Sequence, residues 1–319
     1  MKAALVHSFD KPPVFGEIDA PVAQADEVLV TVQAAALSQL VRAQASGKHY
    51  TSGKTLPFVP GADGVGTLDD GSRVYFAFPR GPIGAMAQTV AVKAANCVAI
   101  PAHVSDLTAA AIANPGMSSW AALEYRARFQ PGESVLVNGA AGTSGRLAIQ
   151  IAKHMGASRV IATARNPAVE AELRALGADR FIALNQAPEK LVEIFRDEIE
   201  SHGVDIVLDY LWGQPAECFL TAATGHGSSE TAPRIRFVNI GSLAGNTINL
   251  TPSPLRSSGL EMLGSGLGSV SHADLVQAVG KVLQAIDPAG LKIDAHPMEL
   301  SEVEDAWGRD TAQRIVITL

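Results

Sequence analysis

Cysteine is scarce in this sequence, with only Cys97 and Cys218 among 319 residues. That excludes a disulfide framework and a structural zinc site of four closely spaced thiolates, and it fits two unpaired thiols in a reducing cytoplasm. Long hydrophobic runs are missing too: no apolar stretch reaches the roughly 18 residues of a membrane span. The N-terminal MKAALVHSFDKPP has a single lysine ahead of an apolar run too short for a signal peptide. No cluster of Lys and Arg stands out and the net charge is −7, which argues against nucleic acid and anionic membranes as partners. Internal repeats and low-complexity tracts are absent as well.

What is present is enough apolar material for sizeable cores, 47% hydrophobic against 18% charged residues, over a length that suggests two domains. The organising stretch is SVLVNGAAGTSGRLAIQIAKHMGASRVIATAR, residues 134–165. It opens on the apolar run Val135-Leu136-Val137, read as a buried parallel strand. Gly139, Gly142 and Gly145 follow at GxxGxxG spacing. A helical period comes next, with Leu147, Ile149, Ile151, Ala152 and Met155 on one side and Gly156 as the stop. Residues 159–162 form a second buried strand. Strand, glycine turn, helix and strand make the phosphate-binding half of a dinucleotide fold, because a tight turn lets backbone and helix N-terminus approach a pyrophosphate. The alternative is a doubly wound sheet that binds no nucleotide.

The end of the second strand bears on the cofactor. An NAD site usually carries Asp or Glu about 20 residues beyond the glycine turn, on the ribose hydroxyls. Here the place reads Thr163-Ala164-Arg165-Asn166-Pro167, with no carboxylate before Glu170. A guanidinium pairs with a 2′-phosphate that a carboxylate would repel. Arg165, helped by Asn166 and Thr163, is therefore the candidate 2′-phosphate contact, and NADPH is favoured over NADH. An exposed arginine at a strand end is the bland alternative.

Along the rest of the chain, the first third reads as strands at 2–7, 28–32, 65–68, 73–78 and 88–92, interrupted by one short helix at 38–45. A helix starts at Asp106 with Ser105 as its cap. The NPGMSS stretch, 114–119, reads as a break before a further helix at 120–129. Beyond the glycine unit, helices at 170–176, 188–201 and 216–222 alternate with strands at 180–184, 205–210 and 234–240, the rhythm of a parallel sheet covered on both faces. The polar segment 225–233 reads as a surface loop. A helix at 273–286 and a strand-helix-strand tail at 291–319 are expected to fold back onto the N-terminal part, which makes the glycine unit an insertion.

Four stretches, in order and spacing, carry a family resemblance: VPGADGVG (59–66), NPGMSSWAAL (114–123), VLVNGAAGTSG (135–145) and PMELSEVEDAW (297–307). Together they resemble the medium-chain dehydrogenase/reductase superfamily, in its zinc-independent quinone oxidoreductase branch. The resemblance implies an α/β fold: a GroES-like, mostly β catalytic domain over 1–116 and 269–319, an inserted Rossmann domain over 117–268, and a cleft between them. It also implies cofactor contacts. Ser118 matches a hydroxyl residue near the nicotinamide, and Gly142, Thr143 and Ser144 face the pyrophosphate. Ile240-Gly241-Ser242 resembles the stretch lining the nicotinamide ribose, and Leu263-Gly264-Ser265 the segment reaching the carboxamide. Asn138 joins this set at the strand end, where it would equally serve as a turn-stabilising side chain.

The departures from the family inform the chemistry. Zinc-dependent relatives carry Gly-His-Glu where this chain has Gly61-Ala62-Asp63, and a cysteine near the first short helix where it has Ser38-Gln39-Leu40. No zinc is therefore expected. Without a Lewis acid, reduction of a quinone or an activated C=C bond is the easier chemistry, because the acceptor's conjugation spreads the incoming charge. Tyr50 resembles a tyrosine in the clefts of bacterial quinone oxidoreductases and is the candidate substrate contact or proton donor. Ser38 stands where relatives commonly carry a substrate-facing Asn. The expected partner is a small-molecule electron acceptor, with an enoyl thioester or a non-catalytic redox-sensor role as rivals. Relatives often pair through the edge strand of the inserted sheet, so a homodimer through residues 260–263 is expected.

Overall fold

The computed structural model describes residues 1–224, 232–309 and 314–319; up to residue 231, the loop expected at 225–233 lies outside the described residues. The chain divides into two compact units. One comprises Met1–Asn114, Leu275–Pro288 and Lys292–Leu319, the other Pro115–Asp274 and Ala289–Leu291.

The first unit begins with β1 (Lys2–Leu5) and β2 (Val14–Glu17), an antiparallel pair. The long strand β3 (Glu27–Ala36) alternates as a half-buried strand should: Val30, Val32 and Ala34 point into the core, Thr31 and Gln33 out. After the short helix α1 (Gln39–Ala45) come β4 (Asp63–Thr67), β5 (Arg73–Ala77), β6 (Thr89–Lys93) and β7 (Cys97–Ala99). β3 pairs antiparallel with both β4 and β6, and β4–β5–β7 continue the sheet. The helix α2 (Asp106–Ala121) then leads into the second unit.

That unit alternates six strands with five helices: β8 (Ser134–Asn138), α3 (Thr143–His154), β9 (Arg159–Ala164), α4 (Glu170–Ala175), β10 (Arg180–Ala183), α5 (Pro188–His202), β11 (Ile206–Asp209), α6 (Gly213–Ala222), β12 (Arg234–Asn239), α7 (Ser253–Ser257) and β13 (Gly259–Gly264). Its strands run in the order β10-β9-β8-β11-β12-β13, all parallel. This is the doubly wound 3-2-1-4-5-6 arrangement, with β8 first in sequence and central in space. Its core gathers Leu136, Ile161, Val207 and Phe237 from the sheet with Leu191, Phe195 and Phe219 from the helices. The chain ends with α8 (His272–Ala285), β14 (Ala295–Glu299), α9 (Val303–Gly308) and β15 (Arg314–Thr318), and β15 returns to pair antiparallel with β3. Tail and N-terminus share one core, in which Ile315 and Ile317 pack with Val30, Val32 and Phe76. The fold is thus a GroES-like, mostly β part with an inserted Rossmann sheet.

One expectation fails. NPGMSS is no break: α2 runs through it with Pro115 in its interior, and the chain then passes into a π-helical turn, Ala122–Ala127. Proline has no N–H to offer the carbonyl four residues back. That carbonyl, Ala111, accepts instead from Nε of buried Arg314 at 3.0 Å. Ser118 and Ser119 fold their hydroxyls back onto the carbonyls of Pro115 and Gly116, at 2.7 and 3.0 Å, which also favours a bent helix. Arg128, at a left-handed φ of 52°, ends the π turn. The strands β2 and β7 were not anticipated either; four and three residues long and half-exposed, they are too short to show a strand period.

The two thiols are free and sit in different units. Burial pushes the Cys97 thiol up to about 11. Cys97 is therefore expected to alkylate near pH 7.5 roughly a hundredfold more slowly than an exposed cysteine, with the rate climbing tenfold per pH unit. Peptide mapping after iodoacetamide labelling reads this directly; a rate equal to that of a model thiol contradicts it.

Candidate functional site

The three glycines of the turn after β8 perform three different tasks. Gly139 adopts φ +92°, where a side chain is strained, and a Cβ there would lie 2.9 Å from Leu211. Gly142 is the N-cap of α3, with no side chain capping the helix and only the Gly139 carbonyl oxygen within 4 Å of its would-be Cβ. Gly145 lets the helix close on the strand: a Cβ there would stand 2.5 Å from the Gly139 oxygen and 2.6 Å from Ala140 Cα. The first turn of α3 contains no acidic residue. The N–H groups of Thr143, Ser144 and Gly145 thus stand at the open, positive end of a twelve-residue helix. This is a cradle that fits a pyrophosphate.

Because all six strands are parallel, their carboxyl ends share one edge, and a buried polar network ties those ends together. Asn138, at the end of β8, donates from Nδ2 to Asp209 Oδ1 at 2.8 Å. Its Oδ1 accepts from the Thr163 hydroxyl at 2.7 Å, and Thr163 Oγ1 in turn accepts from Gly139 N at 3.2 Å. The expectation that Thr163 assists at a 2′-phosphate is corrected here: it is fully buried, and its hydroxyl is engaged with the turn itself. Asn138 is likewise buried, with both ends of its amide in use. Arg165 and Asn166 follow on the exposed side of the edge. Asn166 caps the next turn through Ala168 N, while Arg165 forms no ion pair or hydrogen bond with the described residues.

Across β11 the edge continues to Ile240-Gly241-Ser242 and Leu263-Gly264-Ser265. The Asp209 carbonyl accepts from the N–H groups of Ile240 and Gly241, at 2.7 and 3.1 Å, while Ser242 is exposed. Ser265 N donates to the Asn239 carbonyl at 2.8 Å, and Arg126 Nε, from the π turn, donates to the Gly264 carbonyl at 2.6 Å. Leu263 ends half-buried beside them. Ser118 meets Tyr210, the residue after β11, at 3.5 Å between hydroxyls. Burial pushes the Tyr210 phenol up to about 12, so it is a donor at neutral pH.

Asp209, Tyr210, Asn239 and Arg126 were missed by sequence reasoning. A carboxylate ending an apolar strand at the carboxyl edge of a parallel sheet was the available signal. Burial raises the Asp209 carboxyl above its ordinary range, and the N–H groups of Asn239, Asn138, Trp212 and Leu211 work against that rise.

The two residues assigned to the acceptor lie in the other unit. Tyr50 is 73% exposed and its ring lies 4.2 Å from that of His49. The Ser38 oxygen accepts from Val41 N at 3.2 Å and so serves as the N-cap of α1. Asp63, two residues after Gly61, is buried, with its Oδ1 accepting from Asn114 Nδ2 at 2.6 Å. Among the described residues no group of three or more His, Cys, Asp and Glu is placed to hold a metal ion. No described helix is long and apolar enough to cross a membrane.

Comparison with known proteins places this arrangement. A family model described as zinc-binding dehydrogenase matches residues 145–284. A probable NADPH-dependent quinone reductase of Emericella nidulans is 28% identical over 99% of this chain and 99% of that protein. Quinone oxidoreductase-like protein 2 of Bos taurus is 30% identical over 80% of this chain and 71% of that protein. The crystal structure of the quinone oxidoreductase from Thermus thermophilus, determined also in complex with NADPH, superposes with a TM-score of 0.81 at 28% identity, covering both chains in full. With the GroES-like part, the 3-2-1-4-5-6 sheet and the glycine turn in place, the chain is an oxidoreductase that belongs to the medium-chain dehydrogenase/reductase superfamily, in its quinone-oxidoreductase-like branch.

Proposed function

We propose that this protein is an NADPH-dependent, zinc-independent reductase whose acceptor is a quinone or an α,β-unsaturated carbonyl. The observation that carries the cofactor half is the open N-terminus of α3 above Gly142, combined with Arg165 rather than a carboxylate after β9. The amides of Thr143, Ser144 and Gly145 would hold the pyrophosphate, and Arg165 with Asn166 the 2′-phosphate. Ile240-Gly241-Ser242 and Leu263-Gly264-Ser265 would border the nicotinamide end, with Ser118 held in one orientation by Tyr210 and the Pro115 carbonyl. Bound NADPH supplies a hydride; the chain's own part is to orient the acceptor and exclude water. Tyr50 is the proposed acceptor contact or proton donor, and Ser38 borders the acceptor from the α1 cap.

Zinc independence is supported by Ala62 in place of the ligand histidine of zinc-dependent relatives, and by Ser38-Gln39-Leu40 in the stretch where they carry a metal-binding cysteine. The match to the zinc-binding dehydrogenase family begins at residue 145, beyond both. The quinone and NADPH named for the Emericella and Thermus relatives support the acceptor and cofactor assignments. The protein is further proposed to act in the cytoplasm as a homodimer joined through the edge strand β13, an arrangement that would cover an otherwise open ladder of N–H and C=O groups.

The test is oxidation of NADPH and NADH side by side, with a quinone, a simple enone and an enoyl thioester as acceptors, with and without chelator. Arg165→Ala is expected to raise the KM for NADPH on the order of ten- to a hundredfold, from loss of charged hydrogen bonds of about 1.5–3 kcal/mol, and to leave NADH unchanged. Equal use of both cofactors by the wild type, or loss of turnover to the chelator, overturns the reading. Firm NADPH binding without turnover on any acceptor would make the protein a redox sensor instead.

A further inference from the structure

We infer that Asp209 is a positioning residue for cofactor binding: through its buried carboxylate and its main chain it locks the glycine turn after β8 to the 240–242 segment after β12. The inference rests on the proposed NADPH site. Its ground is one unbroken path of hydrogen bonds. Gly139 N donates to Thr163 Oγ1, Thr163 to Asn138 Oδ1, and Asn138 Nδ2 to Asp209 Oδ1. On the far side, Asn239 Nδ2 donates both to Asp209 Oδ2 at 3.1 Å and to the Gly241 carbonyl at 2.8 Å. The Asp209 carbonyl accepts from Ile240 N and Gly241 N. One residue in the middle of the sheet thus holds both halves of the edge at which open α/β sheets bind nucleotides.

Two further features fit this role. Trp212 adopts φ 56°, ψ −158°, a conformation that side chains rarely take, and its N–H donates to both oxygens of Asp209, at 3.2 and 3.1 Å. Leu211 N adds another bond at 3.1 Å. Backbone held in such a sparsely populated region persists only where the surroundings over-determine it. Moreover, Asp209 forms no ion pair among the described residues. A buried carboxylate without a cation is costly, and what compensates it is four N–H groups converging on its two oxygens. An amide in its place would offer one acceptor oxygen and would turn an NH₂ group toward donors.

Asp205 provides the control. It precedes the same strand at the opposite edge, and its carboxylate likewise ties a neighbouring strand, accepting from Ser134 N at 2.7 Å and Ser134 Oγ at 2.8 Å. Asp209→Asn is expected to weaken NADPH binding on the order of ten- to a hundredfold by fluorescence titration, with kcat at saturating NADPH changed only a few-fold. Asp205→Asn is expected to lower the unfolding midpoint while leaving the NADPH Kd within about twofold. Without any cofactor, hydrogen exchange over 138–142 and 239–243 should accelerate together in Asp209→Asn and remain unchanged in Asp205→Asn.

Wild-type affinity in Asp209→Asn, or an equal loss of affinity in both variants, overturns the inference. Should Asp209→Asn fail to fold, Asn239→Ala removes the side-chain link on the far side while the main-chain bonds from Ile240 and Gly241 to Asp209 remain; an unchanged Kd there overturns the part assigned to the carboxylate. If the wild type binds no NADPH, the proposed function falls, while exchange in the free protein still decides whether Asp209 couples the two segments.

Discussion

Arg314→Met is expected to destabilise the protein by about 3 kcal/mol. Arg314 opens β15 and is buried, and Asp63 on β4 is the charge set against it. Burial raises the Asp63 carboxyl above its ordinary range, and the attraction of Arg314 offsets that. Removing the guanidinium leaves two groups stranded: the buried Asp63 charge, and the Ala111 carbonyl that Pro115 cannot satisfy. The second loss has a specific signature. Pro115→Ala returns an N–H to the helix, so in that background Arg314→Met is expected to cost about 1–2 kcal/mol less than in the wild type. Denaturant unfolding of the four proteins measures the coupling. Simple additivity would mean that the Arg314 bond to Ala111 contributes nothing to a helix with an interior proline.

Gly145→Ala is expected to cost about 1–3 kcal/mol in stability and to weaken NADPH binding at least about tenfold. The backbone of Gly145 is compatible with any residue, so the demand is one of space. The added methyl would stand 2.5 Å from the Gly139 carbonyl oxygen and 2.6 Å from Ala140 Cα, both main-chain atoms that cannot swing aside. Relief requires the start of α3 to lift away from the end of β8, which moves the N–H groups of its first turn. Gly142→Ala is the natural comparison, since its methyl would meet only the Gly139 oxygen at 3.9 Å. It should keep wild-type stability. A Gly145→Ala protein with unaltered NADPH affinity would show that the phosphates do not approach α3.

Much of the architecture is legible in residue order because it depends on local periods. The buried runs of β8, β9, β11 and β12, spaced by helical stretches, announce a parallel sheet, since only strands covered on both faces are apolar throughout. The GxxGxxG turn is readable because glycine is required where chain approaches chain. Two of the failures share a cause: each depended on a partner far away in sequence. NPGMSS looked like a break because a proline's missing donor is a local fact, whereas its remedy comes from Arg314, two hundred and three residues after Ala111. Thr163 looked like a ligand contact because its strand-end position was visible and its bond to Asn138, twenty-five residues away, was not.

Residue order was enough for the superfamily, the alternation of strands and helices in the inserted sheet, the glycine turn and the absence of a carboxylate before Glu170. All of these reside in short stretches whose chemistry is complete within a few residues. Which polar side chains serve the edge from within, and which stand free on it, emerges only once the strands are assembled. Asn138, Thr163, Asp209 and Asn239 are brought together from four separate strands, and the burial of the first three makes their hydrogen bonding obligatory. Arg165 lies beyond that network and stays exposed. Pairing of distant polar groups is enforced by the loss of water, and a chain loses water only when it folds.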